Sequence, residues 1–243
     1  MKALVLAAGK GTRLMSQEAK LPKVLREANG RPLIGYVLET INFIAPEDTT
    51  IVVGYMAEAV QEKLGDKYCY ALQAEQKGTG HAVMCAQENF EGYDGDVLIL
   101  YGDMPLFKKE TYEAIVNVHK ESGAALTLLT SIVDDPPAYG RIIRDENEKI
   151  VDIVEQKDAT EEQRKIKELN VGIYVANCKE LFGALKSVKN NNAQGEYYLT
   201  DVPKILIAQN KKVESYTIHN TEEIYGVNTL EDLAFCEEVL KNK

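Results

Sequence analysis

Long hydrophobic runs are missing from this sequence. The longest unbroken apolar stretch in the 243 residues is Ala3–Ala8, well short of the ~20 residues a membrane-spanning helix needs. It gives way to Gly9-Lys10-Gly11 rather than to a small-residue cleavage site, so no secretory leader is indicated and a cytoplasmic location is expected. Cysteine is scarce and scattered. Cys69, Cys85, Cys178 and Cys236 form no C-x-x-C pair, which argues against ribbon-type metal sites and dithiol chemistry and predicts buried or half-buried thiols. His81, His119 and His219 are equally dispersed, so a zinc site is not expected. Positive charge is in deficit. With 28 Lys+Arg against 38 Asp+Glu the net charge is −10, which makes nucleic acid and anionic membranes poor partners. The chain also lacks internal repeats, low-complexity tracts, a G-x-S-x-G elbow and any evident Ser/His/Asp or Cys/His nucleophile system.

What is present is an ordinary soluble composition, 45% hydrophobic and 27% charged, in a chain long enough for a sizeable core. Strand-like runs recur at Lys2–Ala8, Thr50–Val53, Cys69–Leu72, Val97–Tyr101, Ala124–Ile132, Ile150–Val154, Val171–Ala176 and Val213–Ile218. Between them lie segments with helical patterning: Pro32–Ile44, Ala57–Leu64, Gly80–Asn89, Lys109–Glu121, Glu161–Glu168, Lys179–Val188, Asp201–Gln209 and Leu230–Lys241. Asp201, just ahead of Val202-Pro203, reads as an N-cap. Early strand–helix alternation predicts an α/β fold, an open and mainly parallel sheet with helices on both faces. The stretch from about Ala124 to Ile153 has strands without helices and is expected to form a small antiparallel insertion. A single domain over residues 1–243 is the economical reading.

The charge is unevenly spread. Residues 1–31 carry seven Lys or Arg against two Glu, which suggests a small anionic ligand near the N-terminus unless the cluster is a chance feature of the surface. Within it, Leu6-Ala7-Ala8-Gly9-Lys10-Gly11-Thr12-Arg13 runs from a buried strand into a glycine turn. Gly9 and Gly11 allow the backbone to approach a ligand, with N–H groups available to phosphate oxygens. Leu14 stands where the dinucleotide fingerprint requires a third glycine, and the same residue breaks the P-loop pattern, so neither a dehydrogenase nor a P-loop NTPase is supported. Lys23 follows Pro22 in a segment biased to extended structure, and its point charge could meet a phosphate. Tyr101-Gly102-Asp103 ends an apolar run, where open α/β sheets bind ligands. Asp103 is either a hard oxygen ligand for Mg2+ or a turn aspartate. Gln73–Ala82 is a second strand, glycine-loop and helix unit whose glycines suit contacts to a base or phosphate; within it His81 reads as a packing or capping residue rather than a base. Gly140, Glu155, Asn170 and Asn228 are polar or glycine positions at the ends of apolar runs, and Glu155 is either a sugar-hydroxyl acceptor or a solvated carboxylate.

Taken together, these stretches resemble the sugar-phosphate nucleotidylyltransferases, most closely the uridylyltransferase domain of bacterial N-acetylglucosamine-1-phosphate uridylyltransferases. The resemblance is carried in order by LAAGKGTR (6–13), LPKVL (21–25), QAEQKGTGHA (73–82), YGDMPL (101–106), YGRI (139–142), VEQKDA (154–159), NVGI (170–173), NNNAQGEYYLTD (190–201) and GVN (226–228). It implies that Leu6, Ala7, Ala8, Gly9, Gly11 and Thr12 wrap the nucleotide and that Arg13 and Lys23 neutralise the phosphates. Gln73, Gly78, Thr79, Tyr101 and Gly102 would line the uridine site, with Gln73 and the Gly78 backbone reading uracil. Gly140, Glu155 and Asn170 would contact the amino sugar, and Asp103 with Asn228 would hold Mg2+. The stretch Met15–Lys20 lengthens the loop between Arg13 and Lys23 relative to that enzyme, which puts Lys20 beside Lys23 as a candidate for the same role. The implied reaction is transfer of UMP from UTP to N-acetylglucosamine 1-phosphate, giving UDP-N-acetylglucosamine for cell-envelope precursors. No hexapeptide repeat is present, so neither a left-handed β-helix nor acetyltransferase activity is expected. The alternatives are another nucleotide or sugar phosphate, a non-catalytic UDP-sugar-binding regulatory module, or a purely structural α/β protein.

Overall fold

A computed structural model of the chain describes residues 1–11, 14 and 21–242. The first strand, β1 (Lys2–Ala7), is almost wholly buried because its residues are apolar on both faces. Leu4 and Leu6 point into one core, while Ala3, Val5 and Ala7 point into the other. Such a strand has to lie at the centre of a sheet covered on both sides. Its neighbours are β4 (Thr49–Val53) and β6 (Asp96–Tyr101), both parallel to it, with Val5 opposite Ile51 on one side and Leu100 on the other. A short hairpin, β2 (Glu27–Ala28) with β3 (Arg31–Pro32), lies apart from the main sheet.

The main sheet continues from β4 to β5 (Cys69–Leu72) at one edge. On the other side of β6 come β10 (Glu168–Asn177), β7 (Leu126–Ile132) and β11 (Val213–Ile218), giving the order β11-β7-β10-β6-β1-β4-β5. β10 is antiparallel to both neighbours, whereas β11 and β7 are parallel. A hairpin of β8 (Gly140–Arg144) and β9 (Ile150–Val154) is joined to the start of β10 through Asn170 opposite Gly140. Helices α1 (Leu33–Thr40), α2 (Ala57–Leu64), α3 (Thr79–Cys85), α4 (Lys109–Ser122), α5 (Glu161–Arg164), α6 (Cys178–Leu185), α7 (Asp201–Ala208) and α8 (Leu230–Lys241) fill the connections. Among the described residues no helix is long and apolar enough to cross a membrane.

The expected open, mainly parallel α/β sheet is present. The antiparallel insertion is smaller than expected, because β7 is a full member of the main sheet. Its first six residues are buried and it is paired on both sides, which leaves only β8 and β9 as the added hairpin. The helix read over Glu161–Glu168 stops at Arg164 after a capping box on Thr160, and Glu168 already begins β10. The helix read over Gly80–Asn89 is α3 followed by a tighter turn at Gln87–Phe90. Asp201 is the first residue of α7, and the cap position falls to Thr200.

A third, smaller apolar cluster lies outside the two faces of the sheet. Leu14, Ala28, Leu33, Leu106, Val227 and Cys236 are buried together there, with Leu233 and Phe235 of α8 against them. It joins the glycine-rich segment after β1 to the last helix.

Candidate active site

The carboxyl ends of β1, β5 and β6 lie near one another, and each feeds a segment with polar or glycine residues. This is where open parallel sheets place ligands. A cavity of about 240 Å³ opens there, and Leu6, Ala7, Ala8, Gly9, Lys23, Gln73, Gly78, Thr79, Tyr101 and Asp103 all line it. A second cavity, about 190 Å³, lies beside it, lined by Gly140, Glu155, Asn170 and Asn228 together with Tyr139 and Gly172. Tyr101 and Asp103 belong to both walls. One group of expected residues therefore surrounds each cavity, and Tyr101 at the end of β6 and Asp103 just after it stand between them.

The first cavity is shaped by the Gln73–Thr79 loop. Gly78 has φ +105°, and a side chain there would put its Cβ 2.6 Å from the Tyr197 carbonyl oxygen. This close approach is held by Tyr197 N–H donating to Lys77 O at 2.8 Å and Gly80 N–H donating to Tyr197 O at 2.8 Å. The 190–201 segment thus acts as a clamp on the loop, with Leu199 N–H donating to Thr79 Oγ1 at 3.2 Å. Gln73 is buried; its Nε2 donates to Gly78 O at 3.0 Å and lies 3.1 Å from His81 Nδ1.

At the junction, Lys23 Nζ makes an ion pair with Asp103 and donates to Asn228 Oδ1 at 2.8 Å. Three chain segments meet at this point. Lys23 begins a short turn, Lys23–Leu25, whose Val24 and Leu25 are buried. Asp103 follows β6, and its main chain accepts from Val227 N–H at 3.0 Å. Asn228 precedes α8; its N–H donates to Asp232 Oδ2 at 2.9 Å, the same carboxylate oxygen that closes the Thr229 capping box. No group of three or more His, Cys, Asp or Glu side chains assembles among the described residues. The donor set here is instead one carboxylate and one amide oxygen converging on a single cationic point. Two hard oxygens of this kind fit Mg2+, which is usually bound by one or two carboxylates and completes its shell with phosphates and water.

The second cavity has its own electrostatics. Burial pushes the Glu155 carboxyl above its ordinary value of 4.5; the Thr200 hydroxyl, donating at 3.0 Å, opposes this, and nearby Asp158, Asp201 and Glu196 reinforce it. The Asn170 amide is oriented by donating to Tyr174 Oη at 2.8 Å and accepting from Gly172 N–H at 3.3 Å. Gly172 has φ +87°, and a Cβ there would meet the Tyr101 ring at 2.5 Å. Tyr101 is therefore held close against Gly172, and burial raises its phenol well above the usual range. Tyr139 donates to Ile224 O at 2.7 Å, and burial holds its phenol up to about 12.

Two expected contacts fall elsewhere. Gly102 is behind the cleft: its N–H is taken by Leu6 O at 3.0 Å, and a Cβ there would meet Val24 and Ile34. Gly11 adopts φ +64° but lies outside the lining of both cavities. Thr12, Arg13 and Lys20 lie outside the described residues. Gln76, Val24, Ala82 and Glu196 line the first cavity without having been singled out, as do Met104, Ala138, Val171, Gly172 and Gly226 in the second. For Glu196 the signal was its place in NNNAQGEYYLTD; for Gly172 it was the glycine inside a strand, which often marks a bulge or close approach.

Comparison with known proteins places the chain in a family. The model of the nucleotidyl transferase family matches residues 2–222. The bifunctional protein GlmU of Acetivibrio thermocellus is 43% identical over 243 residues, 100% of this chain and 52% of that protein. The GlmU of Limosilactobacillus reuteri is 45% identical over 241 residues, 99% of this chain and 52% of the relative. The chain thus spans about half the length of these relatives. Among solved structures, apo UDP-glucose pyrophosphorylase superposes with a TM-score of 0.83 at 18% identity, covering 100% of this chain and 98% of the other. The same enzyme complexed with UDP-glucose gives 0.79 at 18% identity, covering 99% and 98%.

Proposed function

Since the chain belongs to the nucleotidyl transferase family, we propose that it transfers UMP from UTP to N-acetylglucosamine 1-phosphate. The products are UDP-N-acetylglucosamine and pyrophosphate. The observation that carries this reading is the position of Lys23, paired with Asp103 and Asn228 where the two cavities adjoin. The identity to GlmU proteins over the whole chain supports it.

In this reading the uridine occupies the cavity of Gln73, Gly78 and Thr79. The Gly78 N–H, which makes no backbone hydrogen bond among the described residues, donates to uracil O4, while the side-chain oxygen Oε1 of Gln73 accepts from N3–H. The amino sugar occupies the cavity of Gly140, Glu155 and Asn170. The two phosphate groups then meet beside Tyr101 and Asp103. A sugar-phosphate oxygen attacks the α-phosphorus in line and forms the new P–O bond. The bond from the α-phosphorus to its bridging oxygen breaks, and pyrophosphate leaves with that electron pair.

The attacking oxygen is already anionic, so no general base is required. The difficulty is bringing two anions together, and it is met by proximity and by fixed positive charge. Lys23 supplies that charge within the described residues, and Arg13 adds to it in this reading. Asp103 and Asn228 would hold Mg2+, which when bound neutralises phosphate charge and polarises the reacting P–O bonds.

The test is pyrophosphate release from UTP, CTP, dTTP, ATP and GTP, each paired with the 1-phosphates of N-acetylglucosamine, glucose and galactose. The expected result is the highest kcat/KM with UTP and N-acetylglucosamine 1-phosphate. Pyrophosphate from none of the pairs would leave only a binding module, and a different best pair would replace the substrate assignment.

A further inference from the structure

We infer that His81 is a positioning residue for base recognition: accepting at Nδ1, it holds the Gln73 amide so that a carbonyl oxygen is left for the cleft. The inference rests on the uridine reading above.

The Gln73 amide makes two contacts through its nitrogen. Nε2 donates to Gly78 O at 3.0 Å and lies 3.1 Å from His81 Nδ1. A main-chain carbonyl only accepts, so the amide nitrogen must be on that side whichever way the group was first assigned. An amide nitrogen only donates, so His81 Nδ1 must be the acceptor. The ring is then neutral with its proton on Nε2; Cys85 Sγ lies 3.8 Å from Nε2 and 3.9 Å from Nδ1, so the tautomer is set by the Gln73 amide. His81 and Cys85 are four residues apart in α3 and share a face of it.

Both amide hydrogens are thus spent inside the protein. Gln73 is 3% exposed and its main-chain N–H is tied to Val53 O at 2.8 Å, so the side chain has little room to swing. Turning the amide over would set Oε1 against two acceptors, Gly78 O and His81 Nδ1. Removing the acceptor at position 81 removes one of those two penalties.

The consequence is selectivity between pyrimidines. Uracil presents an acceptor at O4 and a donor at N3. Cytosine presents a donor at N4 and an acceptor at N3. The Gly78 N–H and the Gln73 Oε1 match the first pattern and oppose the second. With the amide turned over, its NH2 would face N3, the arrangement that suits cytosine. His81 touches neither the reacting phosphates nor the base in this account; it acts through Gln73.

The test is calorimetric binding of UTP and of CTP, without sugar phosphate, to the wild type, His81→Ala and His81→Asn. The Asn side-chain oxygen accepts at about the position of the imidazole Nδ1. The wild type should prefer UTP. In His81→Ala the preference should fall by ~10-fold or more, the scale on which a site built for a hydrogen-bonding pattern loses discrimination. In His81→Asn it should stay within about threefold of wild type, the conservative acceptor restoring what alanine loses. Nitrogen-15 spectra of the wild type at neutral pH should show an unprotonated His81 Nδ1 and a protonated Nε2, a readout that does not depend on the variants folding. An unchanged preference in His81→Ala, an equal loss in both variants, or the opposite tautomer would each overturn the inference. A wild type with no preference for UTP would instead contradict the uridine reading itself, and the inference with it.

Discussion

The main-chain N–H of Val227 donates to the carbonyl oxygen of Asp103 across 3.0 Å. This one bond sets the loop after β6 against the segment that enters α8. Asp103 and Asn228 are far apart in the sequence, yet their side-chain oxygens both reach Lys23 Nζ. The tie at Val227, together with the Asp232 carboxylate that receives the Asn228 N–H, keeps the pair in register. The proposed chemistry depends on that register, which is held by contacts between distant segments of the chain.

Lys23→Ala and Asp103→Ala should each lower kcat for pyrophosphate release by about 10²–10³, the usual cost of losing one preorganised charge-stabilising group. The side chains are only 12% and 19% exposed and pair with each other, so each variant leaves a half-buried charge without its partner. Far-UV circular dichroism should nevertheless match the wild type, because the pair lies at the rim of the sheet and not in its core. Turnover near the wild-type level in both variants would remove Lys23 and Asp103 from the mechanism.

Gly172→Ala should be costly in two ways. The backbone sits at φ +87°, and the new Cβ would fall 2.5 Å from the Tyr101 ring. A loss of about 1–3 kcal/mol is expected from strain and overpacking together. Because Tyr101 separates the two cavities, KM should rise for both the triphosphate and the sugar phosphate. Thermal melting and steady-state kinetics on the same preparation check this. A rise confined to one substrate would mean that Tyr101 does not serve as the shared wall.

Glu155→Gln gives a pH-dependent stability effect whose sign follows from burial. The folded protein holds the Glu155 carboxyl above its ordinary 4.5, so the folded state binds that proton more tightly than the unfolded chain does. The contribution to stability is fully present below pH 4.5 and is lost as pH rises through the raised folded value. The variant should therefore melt higher than wild type at neutral pH and show no advantage below pH 4.5. At neutral pH its KM for the sugar phosphate should increase, as expected where a destabilised group is kept for function. Equal melting temperatures at all pH values would contradict the burial argument.

Leu14→Ala should destabilise the protein by about 2–5 kcal/mol, the range for emptying a buried leucine site. Leu14 is fully buried in the small cluster that includes Val227 and Cys236. Because Leu14 adjoins Arg13 and Val227 adjoins Asn228, the variant should also raise KM for the triphosphate more than it lowers kcat. Differential scanning calorimetry and substrate titrations measure the two effects. A variant with wild-type melting would show that the cluster carries little of the anchoring.

Much of the sheet was legible because its strands are apolar on both faces. Lys2–Ala7, Thr49–Val53 and Asp96–Tyr101 read as continuous runs, and continuous runs of that length fit only the interior of a covered sheet. The β8–β9 hairpin was harder to delimit. Gly140–Arg144 is a short strand with two isoleucines between Arg141 and Arg144, and β7, the strand before it in sequence, is likewise followed by no helix although it belongs to the main sheet. The cap of α7 was misplaced because aspartate and threonine both suit that position, and the Thr200 hydroxyl is instead given to Glu155. In the site, glycine loops at strand ends could be read directly. What could not be read was which distant polar residues share a point: Lys23, Asp103 and Asn228 meet only through a long-range backbone bond and a helix cap. Gly102 stands beside two cleft residues, and its close packing against Val24 and Ile34 could not be read from that place in the sequence.

A crystal structure of the protein with UDP-N-acetylglucosamine bound would test the account most directly. It should show uracil against Gln73 and Gly78, the acetamido sugar against Gly140, Glu155 and Asn170, and the diphosphate passing Tyr101 beside Lys23. A sugar nucleotide lodged elsewhere, or a diphosphate remote from Lys23 with Asp103 and Asn228 turned apart, would contradict it.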